Sequence, residues 1–125
     1  MPKTHTFFIT ERVTLNADGT GTWQYTVGNG EVFDIHGFFT SSTGAYDITD
    51  IRDSTGLHYT NASVNNPIPS VDFPSGANEN NHIGEFPQPI HIDGGVTIYV
   101  DVIDTSGSGN VVDLLMITRR TLPNL

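Results

Sequence analysis

From Ile90 to Arg120 the chain reads IHI, a DGG turn, VTIYVDVID, a TSGSGN turn and VVDLLMITRR, a pattern that leaves room for strands and little for a helix. Val96, Ile98, Val100 and Val102 share one face of the first run, and Val112, Leu114 and Met116 share one face of the second. Strict alternation sends successive side chains to opposite faces, as a strand does and a helix does not. The other faces are not polar throughout, because Tyr99, Ile103, Leu115 and Ile117 lie there. Strands apolar on both sides belong in the middle of a domain or against a neighbour. The two runs are expected to form a strand pair.

The same alternation recurs upstream. Phe7 to Leu15 and Thr20 to Val27, joined by Asn16-Ala17-Asp18-Gly19, read as a hairpin, with Trp23, Tyr25 and Val27 on one face and Gly19 supplying the positive φ of the turn. Glu31 to Thr40 is expected to turn Phe33, Ile35 and Phe39 inward. Ala45 to Arg52 places Tyr46 and Ile48 on one face and Ile51 on the other, and Leu57 to Thr60 reads as a short strand. Pro67, Pro69, Pro74 and the run SGANENNHIG make residues 61–84 a long surface loop, pinned by Val71 and Phe73. Residues 1–6 and 121–125 are candidate terminal arms. About eight strands at short intervals indicate one all-β domain over 1–125, a β-sandwich of the jelly-roll type with an immunoglobulin-like sandwich as the alternative.

Charge narrows the partners. The net charge is −9, and the basic residues are Lys3, Arg12, Arg52, Arg119 and Arg120. Asp53, Asp72, Glu79, Glu85, Asp93, Asp101, Asp104 and Asp113 occupy a stretch without Lys or Arg. Such a surface repels phosphate, which argues against direct nucleic-acid or anionic-membrane binding. There is no cysteine, so no disulfide framework. The N-terminus MPKTHTFFITER does not read as a signal peptide, so synthesis in a cytoplasm is expected and the Asn61-Ala62-Ser63 sequon is taken as accidental.

Motifs for chemistry are scarce. His82, Glu85 and His91 are the nearest approach to a metal set, but no HxH pair occurs. The turns at Asp18 and at Asp104 to Asn110 offer oxygen ligands for calcium, although Asp-initiated turns explain them more simply. Ser108 lacks a nucleophile-elbow context. The chain is expected to be non-enzymatic, with no cofactor and no metal. Trp23, Tyr25, Tyr46, Tyr59 and Tyr99 form a candidate aromatic platform, which keeps a carbohydrate-binding module as the alternative function.

Aromatic surplus points instead to assembly. In the adjacent pairs Phe7-Phe8 and Phe38-Phe39, one member of each must leave the core if the pair lies in a strand. Phe7, Phe8, Phe38, Phe39, Phe73 and Phe86, with Arg119 and Arg120, are therefore candidate interface residues. A small acidic, cysteine-free β-domain ending in GGVTIYVDVIDTSGSGNVVDLLMITRR resembles jelly-roll structural proteins of bacteriophage virions, the capsid decoration (cement) and vertex proteins. The resemblance implies a homo-oligomer, a trimer by preference, seated on a major capsid protein at the outer surface of a virion made in a host cytoplasm. It implies no cofactor and carries no named functional residue.

Overall fold

The computed structural model describes residues 3–70 and 85–123. Within them run eight strands: β1 (Lys3–Leu15), β2 (Thr20–Thr26), β3 (Val32–Ser42), β4 (Tyr46–Asp53), β5 (Ile68–Pro69), β6 (Glu85–Asp93), β7 (Thr97–Asp104) and β8 (Asn110–Leu122). They form two four-stranded antiparallel sheets, sheet A in the order β1-β8-β3-β6 and sheet B in the order β2-β7-β4-β5. The pairs β1–β8, β2–β7, β3–β6 and β4–β5 are nested, as if one long hairpin bent at β4–β5 had been rolled up. That is jelly-roll winding. An immunoglobulin-like sandwich would place further sequence-adjacent strands side by side in one sheet.

The winding corrects two expectations. β1 and β2 are not a hairpin, and β7 and β8 are not a strand pair: in each case the short turn carries the chain from one sheet to the other. Among the described strands only β4 and β5 are neighbours both in sequence and in a sheet. The Asn16–Gly19 turn does close, with Gly19 N–H donating to Asn16 O at 2.8 Å. Asp18, rather than Gly19, takes the left-handed conformation, at φ 57°. Leu57 to Thr60 forms only a bridge between His58 and Arg52, and the fifth strand lies later, inside the expected loop. Lys3 to Thr6 and Thr121 to Leu122 are paired ends of β1 and β8 rather than arms. Val71, Phe73 and His82 lie outside the described residues.

Two register shifts re-phase the alternation. Between Ile35 and Gly37 an irregularity in β3 turns Phe38 inward, fully buried, and leaves Phe39 half-buried on the outer face. An extra residue in one strand reverses every side chain after it, so the expected inward Phe39 and outward Phe38 exchange places. The shift between Ile48 and Asp50 in β4 likewise returns Ile51 to the core. Inward residues of both sheets, among them Trp23, Phe33, Tyr46, Ile98, Val100, Val112, Leu114 and Met116, make one core. Trp23 Nε1 donates to Val112 O across the sheets at 3.3 Å, and its ring meets Tyr46 edge-on at 6.2 Å.

At one end three corners meet around Asp104 and Asn110, both buried. Asp104 accepts from the Ser106 hydroxyl (2.6 Å) and N–H (3.1 Å), the Asp18 N–H (3.0 Å), the Gly109 N–H (3.3 Å) and Asn110 Nδ2 (3.2 Å). Asn110 also donates to Ala45 O at 2.8 Å and accepts from Gly44 N–H at 2.9 Å. The β1–β2, β3–β4 and β7–β8 corners are thus tied by two side chains. Chiefly through the Ser106 hydroxyl, these donors hold the Asp104 carboxyl well below the usual carboxylate range.

Trp23→Ala is expected to cost about 3–5 kcal/mol in chemical denaturation, as for large aromatic truncations in cores. Tyr46 behaves differently at its tip. Burial pushes its phenol up to about 12, and Tyr46 Oη closes no hydrogen bond among the described residues. Tyr46→Phe should therefore stay within about 1 kcal/mol of the wild type or exceed it, because no bonded partner is orphaned.

For the corner clamp, Asn110→Ala is expected to cost about 1–3 kcal/mol. The folded-state pKa of Asp104 lies below the unfolded value of about 3.9, so its ionised form contributes stability above that pH. That contribution is lost as pH falls through the folded value. The thermal-midpoint gap between wild type and Asp104→Asn should narrow below about pH 4.

Candidate interaction face

The two outer faces of the sandwich differ in chemistry. On sheet B, β2 presents Thr20, Thr22, Gln24 and Thr26, while β7 presents Thr97, Tyr99, Asp101 and Ile103. Their polar groups are paired. Thr22 donates to Asp101 at 2.6 Å, Arg52 Nε donates to Asp101 at 3.0 Å, and the Arg52 guanidinium lies 4.4 Å from the centre of the Tyr99 ring. Such a face suits water.

Sheet A is apolar where sheet B is polar. Register aligns Phe8 of β1 with Ile117 of β8 and Gly37 of β3, and the next row aligns Thr10, Leu115 and Phe39. Phe8 is 58% exposed, while Leu115, Ile117 and Phe39 are half-buried. Beyond Leu115 the row Arg12, Asp113, Ser41 is polar, with Arg12 Nε donating to Asp113 Oδ1 at 2.7 Å and Nη2 donating to Oδ2 at 3.2 Å. Beside Phe39 the face sinks into an open depression of about 770 Å³ lined by Thr10, Arg12, Ser41, Asp113 and Leu115 among others.

On the opposite side of the strip, Thr6, Arg119, Asp34 and His91 make the next row. His91 bridges two carboxylates, with Nδ1 2.8 Å from Asp34 and Nε2 2.9 Å from Asp93. The Asp34 bond chiefly, then that to Asp93, raises its pKa above the ordinary imidazole value. The apolar strip is thus flanked by polar groups at both ends.

The structure divides the residues expected at an interface. Phe8 and Phe39 share the outer face of sheet A, and exposed Arg119 stands at its border. Phe38 is core. Phe7 points to the inner side, edge-on to Phe33 at 5.7 Å, with the Arg120 guanidinium 4.0 Å from its ring centre. Phe86 packs edge-on against Phe38 at 5.1 Å, and Phe73 is outside the described residues. Leu115 and Ile117 belong to the strip, and their signal was the doubly apolar pattern of β8.

The other candidate sites come apart. Trp23 and Tyr46 are buried, Tyr25 and Tyr59 pack against the core, and Tyr99 lies under Arg52, so the five aromatics share no exposed platform. Both carboxylate oxygens of Asp104 are occupied by hydrogen-bond donors, which a cation would have to displace. Among the described residues no group of three or more His, Asp or Glu is arranged to hold a metal ion. Comparison with family models, with curated proteins and with solved structures finds no match.

His91 is expected to titrate above about 6.5 by NMR, and Asp34→Asn should lower its midpoint. Because the folded pKa is the higher one, the bridge stabilises fully below about pH 6.5 and is lost as pH rises through the raised value.

Proposed function

We propose that this chain is a non-enzymatic structural protein that acts by adhesion, with the outer face of sheet A as its attachment surface. One observation carries the reading: a single sandwich has a hydrogen-bonded polar face on sheet B and a contiguous apolar strip, Phe8, Ile117, Leu115 and Phe39, on sheet A. Contiguous apolar surface rimmed by polar residues marks contact sites on soluble domains.

The role that fits is attachment to a shell of protein subunits, with sheet B toward solvent. A decoration or cement protein of a virion, the class that the C-terminal sequence resembles, is the specific form proposed. Such a protein needs one face suited to protein rather than water, which the apolar strip of sheet A offers.

Leu115→Asp and Phe39→Ser are expected to weaken association by about 30-fold or more in sedimentation equilibrium, as for central interface positions. Both should leave the fold intact by circular dichroism, and Gln24→Ala on sheet B should change nothing. A wild-type chain that remains monomeric near 1 mM, the weak end of specific affinity, would count against self-association through this face.

A further inference from the structure

We propose that sheet A continues across a two-fold axis: the free edge of β1 pairs antiparallel with β1 of a second copy, in the register that sets Phe8 opposite Phe8. This rests on the reading of sheet A as the assembling face and adds the edge, the occupant and the register.

Four of the described strands are sheet edges, and they are not equivalent. β5 has two residues, one of them Pro69. β6 carries Pro87 and Pro89, which have no N–H to donate. β2 has seven residues and belongs to the polar sheet. β1 runs for 13 residues with neither proline nor glycine. Shortness, proline and central charge are the usual guards against edge pairing. The stretch Thr4 to Thr10 of β1 has none of them, the charged Glu11 and Arg12 following it.

Self-complementarity selects the occupant and the register. With Phe8 on the axis, residues whose numbers sum to sixteen face each other: Phe7 with the partner's Ile9, His5 with the partner's Glu11, and Thr6 with the partner's Thr10. Glu11 forms no ion pair among the described residues. Arg120 Nε donates to His5 Nε2 at 3.2 Å, which leaves the ring proton on Nδ1 as a donor for that carboxylate. The partner's Lys3 is the diagonal neighbour of Glu11 on the same face, within reach of a long side chain.

Neighbouring registers are worse. An axis on Ile9 sets Glu11 against Phe7. An axis on Phe7 sets Lys3 against Glu11 but also His5 against Ile9, and it moves the two exposed Phe8 rings from directly opposed to diagonal positions. Only the Phe8 register sets the two exposed Phe8 rings directly opposite each other while still bringing a donor to Glu11. The contact is isologous and closes at two subunits, whereas the trimer implied by the resemblance needs a heterologous contact.

The chain has no cysteine, so single-cysteine variants report directly. Directly opposed residues of an antiparallel pair lie close enough for a disulfide. Phe8→Cys is expected to oxidise to a covalent dimer, and a mixture of His5→Cys with Glu11→Cys to give the mixed dimer. Thr14→Cys, which has no opposed copy, should remain uncrosslinked. Phe8→Lys, which opposes two like charges, should weaken the dimer at least tenfold while the monomer stays folded. Dimers that crosslink through Phe39→Cys but not through Phe8→Cys would overturn the edge pairing and leave the assembling face standing. A monomer at every concentration would overturn the edge pairing and any self-association through sheet A, leaving attachment to a different protein as the separate reading.

Discussion

The carboxylate of Asp104 is the point on which the sandwich closes. It gathers donors from the β1–β2 turn and the β7–β8 loop, and through Asn110 it reaches the β3–β4 corner. Each of these corners takes the chain from one sheet to the other, so their relative position sets how the two sheets stack. A buried carboxylate is costly without partners, and this one is stabilised because every nearby turn supplies N–H or O–H groups. Asp53 does similar work at the end of β4, accepting from Thr55 N–H at 2.8 Å and from the Tyr59 hydroxyl. Acidic residues that look like loose turn formers in the sequence are here internal fastenings.

With the corners held, nested pairing decides which strands are central. β8 lies between β1 and β3, and β7 lies between β2 and β4. Both strands are apolar on two faces, yet their outer faces meet different company. β7 is flanked by threonines, Gln24 and Arg52, which cover Ile103 and Tyr99 with polar neighbours. β8 is flanked by Phe8 and Phe39, so its Leu115 and Ile117 become part of a strip. The same kind of strand thus lines a polar outer face in one sheet and an apolar strip in the other. The proposed adhesion through sheet A, and its proposed extension at β1, rest on this difference.

Much of the fold was legible in the residues. Period-two alternation located most strands, the Asp-Gly, Gly-Asn-Gly and Ser-Gly punctuation located their ends, and the count supported a jelly roll. Pairing was not legible, because a short turn looks the same whether it joins strands in one sheet or bridges two. Phase was legible only up to the first register shift: nothing in Ile35-His36-Gly37 announced that Phe38 rather than Phe39 would turn inward. The aromatic platform failed for a related reason, since Trp23 and Tyr46 look alike in sequence whether they line a core or a surface.

What the sequence determined by itself is strand character, turn positions and sign of charge, which are local properties carried by a few adjacent residues. Tertiary structure decided which sheet each strand joined, which Phe of each pair left the core, and that Phe8, Leu115, Ile117 and Phe39 would form one surface. Those outcomes depend on contacts between residues far apart along the chain, such as Phe8 with Ile117 and Phe39 with Leu115. Local sequence does not encode them because a strand's hydrogen bonds and outer-face neighbours come from other strands.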